Sequence, residues 1–526
     1  MSRRAVVIGA GHNGLVAALR LAAAGWDVTV LEAADAPGGA VRSGAGPLPG
    51  HVHDRCAGFF PFTLASPAFA GLGVRERVDW IAPPVAMAHP FADGSAIVLH
   101  RDLAETVASL EAAAPGAGRA WREFAEPLLR RRGALLRAGL GPFPPVRAGA
   151  QLAGAFRRES LTLARRMLAS SATLGLELFG DERAAAWLSG TVTHGDITPG
   201  ASGGAAFAVV LALLGHAVGW PYPRGGSGRL TDALVERLHE LGGELRCGAA
   251  AQAIEAGGGR ARGVRLDTGE RLAADAVVCT LTPRLLAALL APGALPERLL
   301  TRLRGWRHGP GTFKLDLALA GPVPWTSAAA REAGVVHLGD TLDALFSAQQ
   351  QAGAGRVPDA PALVIGQHSL HDATRAPAGR HTLYAYTHVP QRPDLPAEAI
   401  ADRVERRIEA FAPGFRGLVR GRRTRMPADL EAENACLVGG DIVGGSLELD
   451  QQLVFRPAPE LFRGRTPLPG LYVAGAGVHP GGGVHGASGH NAARAVLADA
   501  KFRGAPRLPA RAAARTLRRC VPPSRP

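Results

Sequence analysis

The chain has 526 residues, 47% of them hydrophobic and 20% charged, with a formal net charge of +14. That apolar content supports a sizeable core and excludes a chain disordered throughout. The charge is local: residues 119–166 hold eleven Arg against three acids, residues 501–526 hold eight bases and no acid, and the rest sums to −2.

Nearly every base is Arg, Lys314 and Lys501 being the only lysines, and no nucleic-acid-binding motif accompanies the charge, so no nucleic-acid partner is expected. Cys56, Cys247, Cys279, Cys436 and Cys520 stand far apart without CxxC spacing. This pattern predicts a reducing, cytoplasmic setting and neither a metal site nor dithiol chemistry. The apolar run after Arg3 and Arg4 is broken by glycines and is too short for a secretory leader.

In chain order, the first predicted element is a strand over Ala5–Ile8. It runs into Gly9-x-Gly11-x-x-Gly14, a helix to Ala24, a second strand over Asp27–Leu31, and Glu32. Gly9 permits the tight turn, Gly11 lets a diphosphate approach the backbone, and Gly14 allows the helix to pack on the strand. The helix N-terminus offers N–H groups and a positive dipole end to phosphates. Glu32, eighteen residues past Gly14, stands where a carboxylate accepts ribose hydroxyls and disfavours a 2′-phosphate. The ligand expected is therefore FAD or NAD. Gly38 and Gly39 follow, then Ala40 and Arg42.

Further along, Ala205–Gly215 is the longest apolar run; it is too short to cross a bilayer and predicts a buried helix. A helix over Leu230–Leu241 leads to a meander beginning near Ala251, and residues 275–283 are expected to return to the first sheet. Alternating segments 311–321, 361–370 and 380–389 predict a half-buried antiparallel sheet. A strand over Leu471–Ala474 then breaks at Gly475, and a glycine-rich turn through Gly477 and Gly483 precedes a helix predicted to start near Val484.

The Gly38–Gly39 pair resembles the second phosphate loop of the FAD-binding amine-oxidase and carotenoid-desaturase superfamily. Most members carry Arg directly after the pair; here Ala40 takes that place, and Arg42 becomes the expected neutraliser of the diphosphate. GHNGL at 11–15, which includes Asn13, SLELDQQLVFRPAP at 446–459 and HPGGGVHGASGHNAA at 479–493 are similar to phytoene-desaturase-type enzymes. Within these, the similarity is to the branch containing pyridine nucleotide-disulfide oxidoreductase domain-containing protein 2.

The resemblance implies FAD rather than NAD. It implies the Val484 amide at the flavin C2 carbonyl, Gly475 and Gly477 along the ribityl chain, and the backbone near Ala251 at the adenine. The fold implied is α/β: a Rossmann-like FAD-binding domain (1–75, 224–295, 430–500) interleaved with an α+β substrate domain (76–223, 296–429). The tail (501–526) lies outside the resemblance; its basic, Pro- and Arg-rich composition predicts disorder. That interleaving reconciles the length, which by itself suggests three or four domains. No second strand–GxGxxG–helix unit occurs, so electrons are expected to pass to oxygen or a quinone.

The reaction implied is a desaturation or dehydrogenation, with hydride passing from an apolar substrate, a polyene or isoprenoid, to flavin N5. Two alternatives stay open: an amine oxidase, against which Gly483 stands where those enzymes usually carry an aromatic, and a non-catalytic FAD-binding interaction protein. No side chain is firmly catalytic. Lys314 is a candidate to hold a water at the flavin, against a solvated ion pair with Asp316. His485 is a candidate beside the flavin turn, against simple packing. Tyr384, Tyr386 and His388 read as sheet packing, and His51, His53 and Asp54 resemble a metal cluster only superficially. The basic stretches either rest on anionic lipid or are solvated helix faces.

Overall fold

Strand Arg4–Ile8 is apolar after its first residue because both its faces are covered: Ala5 and Val7 pack into one core, Val6 and Ile8 into another. Such two-sided burial marks a central parallel strand. It lies mid-way in a five-stranded parallel sheet, ordered Leu471–Val473, Ala276–Cys279, Arg4–Ile8, Asp27–Leu31 and Glu244–Arg246. On one face lie helices His12–Ala22, Gly228–Glu240 and Ala487–Phe502. On the other lie helix Glu297–Arg304 and the meander Ala251–Gly257, Arg260–Leu266 and Arg271–Ala273. The computed structural model describes residues 2–502, so nearly all of the expected basic tail falls outside the described residues.

A second, seven-stranded sheet is ordered Val419–Arg425, Gly311–Leu319, His381–Val389, Leu363–Gly366, Val335–Leu338, Val85–Pro90 and Ala96–His100. All its pairings are antiparallel except that of Val335–Leu338 with Val85–Pro90. The prediction of a half-buried sheet is corrected here, since Gly311–Leu319 is buried along its whole length. Phe313, Leu315 and Leu317 pack with Ile400, Val404 and Ile408 of helix Ala397–Glu409 on one face. The opposite, polar face is also roofed: Thr312 and Lys314 border an internal cavity, together with Tyr384 and Tyr386 of the neighbouring strand. Alternation reports which residues share a face, and here the polar face meets a cavity instead of solvent.

The remaining wall is helical. Helices Ala117–Arg130, Ser171–Phe179, Glu182–Gly190 and Gly204–Val218 close around Trp121 and Trp187. The predicted apolar helix is present as Gly204–Val218. One of its stripes, Phe207, Val210, Leu214 and Ala217, borders the same cavity at the three- and four-residue spacing of one helix face.

Candidate active site

One cavity of about 1420 Å³ runs between the two sheets. It exceeds the roughly 300–1,000 Å³ of a pocket for one drug-sized ligand and has room for a dinucleotide with a substrate. Gly9, Gly11, Asn13, Gly14, Glu32, Gly39, Ala40, Arg42, Ala251, Gly475, Gly483 and Val484 all border it, as do Lys314 and His485. Gly38 and Gly477 do not: Gly38 lies against Val41 and Thr231, and Gly477 against Pro283.

The glycine loop is built by contact. Gly9 has φ +98°, and a Cβ there would overlap the Thr280 hydroxyl, which itself donates to the Ile8 carbonyl at 2.8 Å. A Cβ at Gly14 would overlap the Gly9 carbonyl oxygen, so helix and strand could not come together. Gly11, the residue before helix His12–Ala22, has nothing within 4 Å of its Cβ position. Its backbone is open to the cavity at the end of the helix whose first N–H groups lack helical partners.

Glu32 accepts from the Ala10 amide at 2.8 Å through one oxygen and from the Ala34 amide at 3.1 Å through the other. It ties the glycine loop to the end of the second strand while its remaining lone pairs face the cavity. Gly38 donates to the Ala10 carbonyl at 2.9 Å, seating the second glycine loop on the first. Arg42 donates to the Glu433 carbonyl at 2.9 Å; its Nε is buried with no hydrogen-bond partner among the described residues, as is Asn13 Oδ1. A backbone open at a helix N-terminus, a carboxylate and an orphaned guanidinium N–H together fit an adenosine diphosphate group.

At the opposite wall, the predicted helix start is corrected: the helix begins at Ala487. The carbonyls of Val484 and His485 accept from the Thr63 hydroxyl (2.6 Å) and the Ser66 hydroxyl (2.7 Å), and Gly486 takes the left-handed φ of +63°. His485 is locked in this turn. Its Nδ1 accepts from the Ala487 amide at 3.0 Å, so Nε2 carries the proton and donates to the Gly481 carbonyl at 3.2 Å. Burial, then His12, pushes its pKa down to about 3, so it stays neutral. Those bonds make His485 a turn-positioning residue.

The Lys314–Asp316 pair is present but not solvated: Lys314 is 3% and Asp316 1% exposed. Asp316 also binds Arg425 and, at 3.3 Å, His53. Burial raises the Asp316 carboxyl, but Lys314, His53 and Arg425 outweigh it and hold the group ionised. The Lys314 ammonium stands 5.0 Å from the centroid of the Tyr384 ring. Asp54 pairs instead with Arg375 at 3.1 Å and accepts from the Ser227 amide at 2.7 Å. His51 bonds the Pro49 carbonyl at 3.1 Å. The three residues therefore face separate partners.

The profile of the family described as flavin containing amine oxidoreductase matches residues 14–497. The chain belongs to that family. It is an FAD-dependent oxidoreductase of desaturase or amine-oxidase type. Pyridine nucleotide-disulfide oxidoreductase domain-containing protein 2 of Rattus norvegicus is 28% identical over 94% of both chains. Hydroxyneurosporene desaturase of Cereibacter sphaeroides is 30% identical over 94% of this chain and 98% of its own. An oxidoreductase of Methanosarcina mazei has the same fold, with a TM-score of 0.64 at 17% identity, over 94% of this chain and 100% of its own.

Residues that sequence reasoning passed over complete this flavoenzyme's site. Cys56, Phe59 and Phe62 line the cavity, as do Trp220 and His194. Arg456, inside the quoted 446–459 motif, is fully buried and donates to the carbonyls of Ala476 (3.0 Å), Ser446 (3.1 Å) and Val443 (3.0 Å). It pins the flavin turn to the loop lining the far end of the cavity. An Arg inside a motif of otherwise loop-like composition was the one signal for it.

Proposed function

We propose that this flavoenzyme dehydrogenates an uncharged, apolar substrate of polyene or isoprenoid class, and the carrying observation is the charge of the cavity wall. Two carboxylates border it, Glu32 and Glu433, against Arg42, Arg55, Arg130, Arg132 and Lys314. Glu32 is engaged by two amides, and Glu433 by Arg425 at 2.8 Å and Arg55 at 3.6 Å. A protonated amine would enter this cavity with no free carboxylate to meet it, a burial that costs several kcal/mol when the charge is unpaired. A hydrocarbon meets the Phe207, Val210, Leu214 stripe and Ile197 instead. The relative named hydroxyneurosporene desaturase fits this reading.

Bound FAD supplies the hydride acceptor. The protein's part is to bind, orient and keep dry: the glycine loops, Glu32 and Arg42 would hold the dinucleotide, with Ala251 towards the adenine and Gly475, Gly483 and Val484 towards the flavin, while Gly477, packed on Pro283, shapes the turn behind them. Lys314, fixed by Asp316, presents its ammonium beside the Tyr384 face and is the group placed to hold a water at the reacting end. The apolar helices exclude bulk water from the rest of the cavity. The described residues hold a single parallel dinucleotide-type sheet, which favours oxygen or a quinone as electron acceptor over a nicotinamide.

The substrate enters from an anionic lipid surface. Leu168, Leu449 and Leu453 border the cavity yet are 55%, 42% and 41% exposed, which marks its mouth. Exposed Val146 and Leu161, together with the exposed Arg147, Arg157 and Arg158, carry the apolar and basic character onward.

Anaerobic mixing of the purified holoprotein with phytoene and with putrescine tests the substrate class. Bleaching of the flavin band by the polyene alone is expected. Bleaching by the amine alone reverses the assignment.

A further inference from the structure

Three side chains from separate elements meet at the cavity wall: Tyr386 from strand His381–Val389, His194 from the turn Thr191–His194, and His337 from strand Val335–Leu338. The Tyr386 hydroxyl lies 3.2 Å from His194 Nδ1, and His194 Nε2 lies 2.8 Å from His337 Nε2. Tyr386 and His194 border the cavity, and His337 is 1% exposed behind them. Trp220 meets the His194 ring edge-on at 5.1 Å and fixes its plane.

Burial holds both imidazoles neutral, His194 at about 4 and His337 well below its ordinary value. Two neutral rings joined nitrogen to nitrogen share a single proton, which leaves two arrangements. If His194 Nε2 carried it, His337 would have to carry its own proton on Nδ1. That atom is buried with no hydrogen-bond partner among the described residues. A buried, orphaned N–H is rarer than an unused lone pair.

The proton therefore sits on His337 Nε2 and is donated to His194 Nε2. His194 then holds its own proton on Nδ1 and donates it to the Tyr386 oxygen. With its oxygen already accepting, Tyr386 has its own O–H left to give, and the open direction is the cavity.

We propose that Tyr386 is a specificity-determining donor that anchors an oxygen atom (hydroxyl, ether or carbonyl) on an otherwise apolar substrate, with His194 and His337 as positioning residues that set its direction. This rests on the apolar-substrate reading above and narrows it from hydrocarbons to oxygenated chains. A buried donor left without a partner penalises the molecule that lacks the oxygen, which is the basis of discrimination in sites of this kind.

The test compares lycopene with its 1-hydroxy derivative on the holoprotein, by quenching of flavin fluorescence and by the rate of anaerobic bleaching. The hydroxylated chain is expected to bind at least about tenfold tighter. In Y386F that ratio falls towards one. H337L removes the preference, and H337Q, whose amide can donate to His194 Nε2, restores it; a merely structural role would not separate these two variants at equal FAD content. Equal affinity of the unmodified protein for both chains overturns the anchor and leaves the apolar-substrate reading standing. Binding of neither chain overturns that reading, and the anchor with it.

Discussion

Gly489 lies directly against the main-chain carbonyl of Asn13: a Cβ at position 489 would overlap that oxygen. The contact lets helix Ala487–Phe502 run beside helix His12–Ala22 at backbone distance, and Asn13 and His485, at the two helix starts, both border the cavity. Two positive dipole ends thus converge on it, a field suited to a diphosphate and to a flavin that gains electrons.

Substituting Gly489 by Val separates these helices. Overpacking of this kind costs about 1–3 kcal/mol, and the neighbour here is backbone, which cannot rotate away. The variant is expected to lose FAD during purification and to melt several degrees lower. Absorbance of the flavin band per protein and a thermal melt of the apo and holo forms check both. Retention of full FAD at unchanged Tm would show that the helix ends are not held by this contact.

Glu32 joins Ala10 and Ala34 through their amides, so Glu32→Ala leaves two backbone donors without their acceptor and removes a carboxylate from the cavity wall. At about 1 kcal/mol or more for each lost bond, FAD affinity should fall at least about tenfold. Titration of the apoprotein with FAD, followed by fluorescence, measures it. Glu32→Gln keeps an acceptor oxygen and should recover part of the loss.

The glycine loop and Glu32 were legible in the sequence because strand, turn, helix and acid are close neighbours along the chain, and their geometry is local. The start of the C-terminal helix was not. It is decided by the hydroxyls of Thr63 and Ser66, 421 and 419 residues away, which take the carbonyls of Val484 and His485. Lys314 and Asp316 were placed on one face correctly. Whether that face met water or a cavity depended on a helical wall that period-two alternation does not report. Arg456 stood in a quoted motif without a role, since its burial comes from a loop folding around it.

The exposed Leu449 and Leu453 at the cavity mouth test entry from lipid. No helix among the described residues is long and apolar enough to cross a membrane, so attachment would be peripheral. The protein is expected to float with phosphatidylserine vesicles and not with phosphatidylcholine vesicles, and to be released by 0.5 M salt, which shrinks the screening length to about 4 Å. The L449S/L453S double variant should weaken flotation while keeping its flavin spectrum. Binding that salt does not change would remove the basic surface from the account.

Asp196 supplies a pH dependence whose sign can be worked out. Both its oxygens accept from the Leu447 amide, at 3.1 and 3.2 Å, which holds the loop that reaches the cavity mouth. Burial, then the neighbouring Asp441, raises its pKa from 3.8 to about 6. Asp441 stays ionised: burial raises it, but His308 at 2.9 Å and the Val443 amide at 2.8 Å outweigh that. A carboxyl whose pKa is higher folded than unfolded contributes stability that is complete below pH 3.8 and is lost as pH rises through about 6. At pH 8 that loss amounts to about 3 kcal/mol. Asp196→Asn keeps an acceptor for Leu447 without taking on charge, so its Tm should exceed that of the unmodified protein by a few degrees at pH 8. About half of that difference should remain at pH 5, and the two should converge only as pH falls to about 3.8. Thermal melts across pH 4–8 measure the difference, and a constant offset over that range would assign the titration to another group.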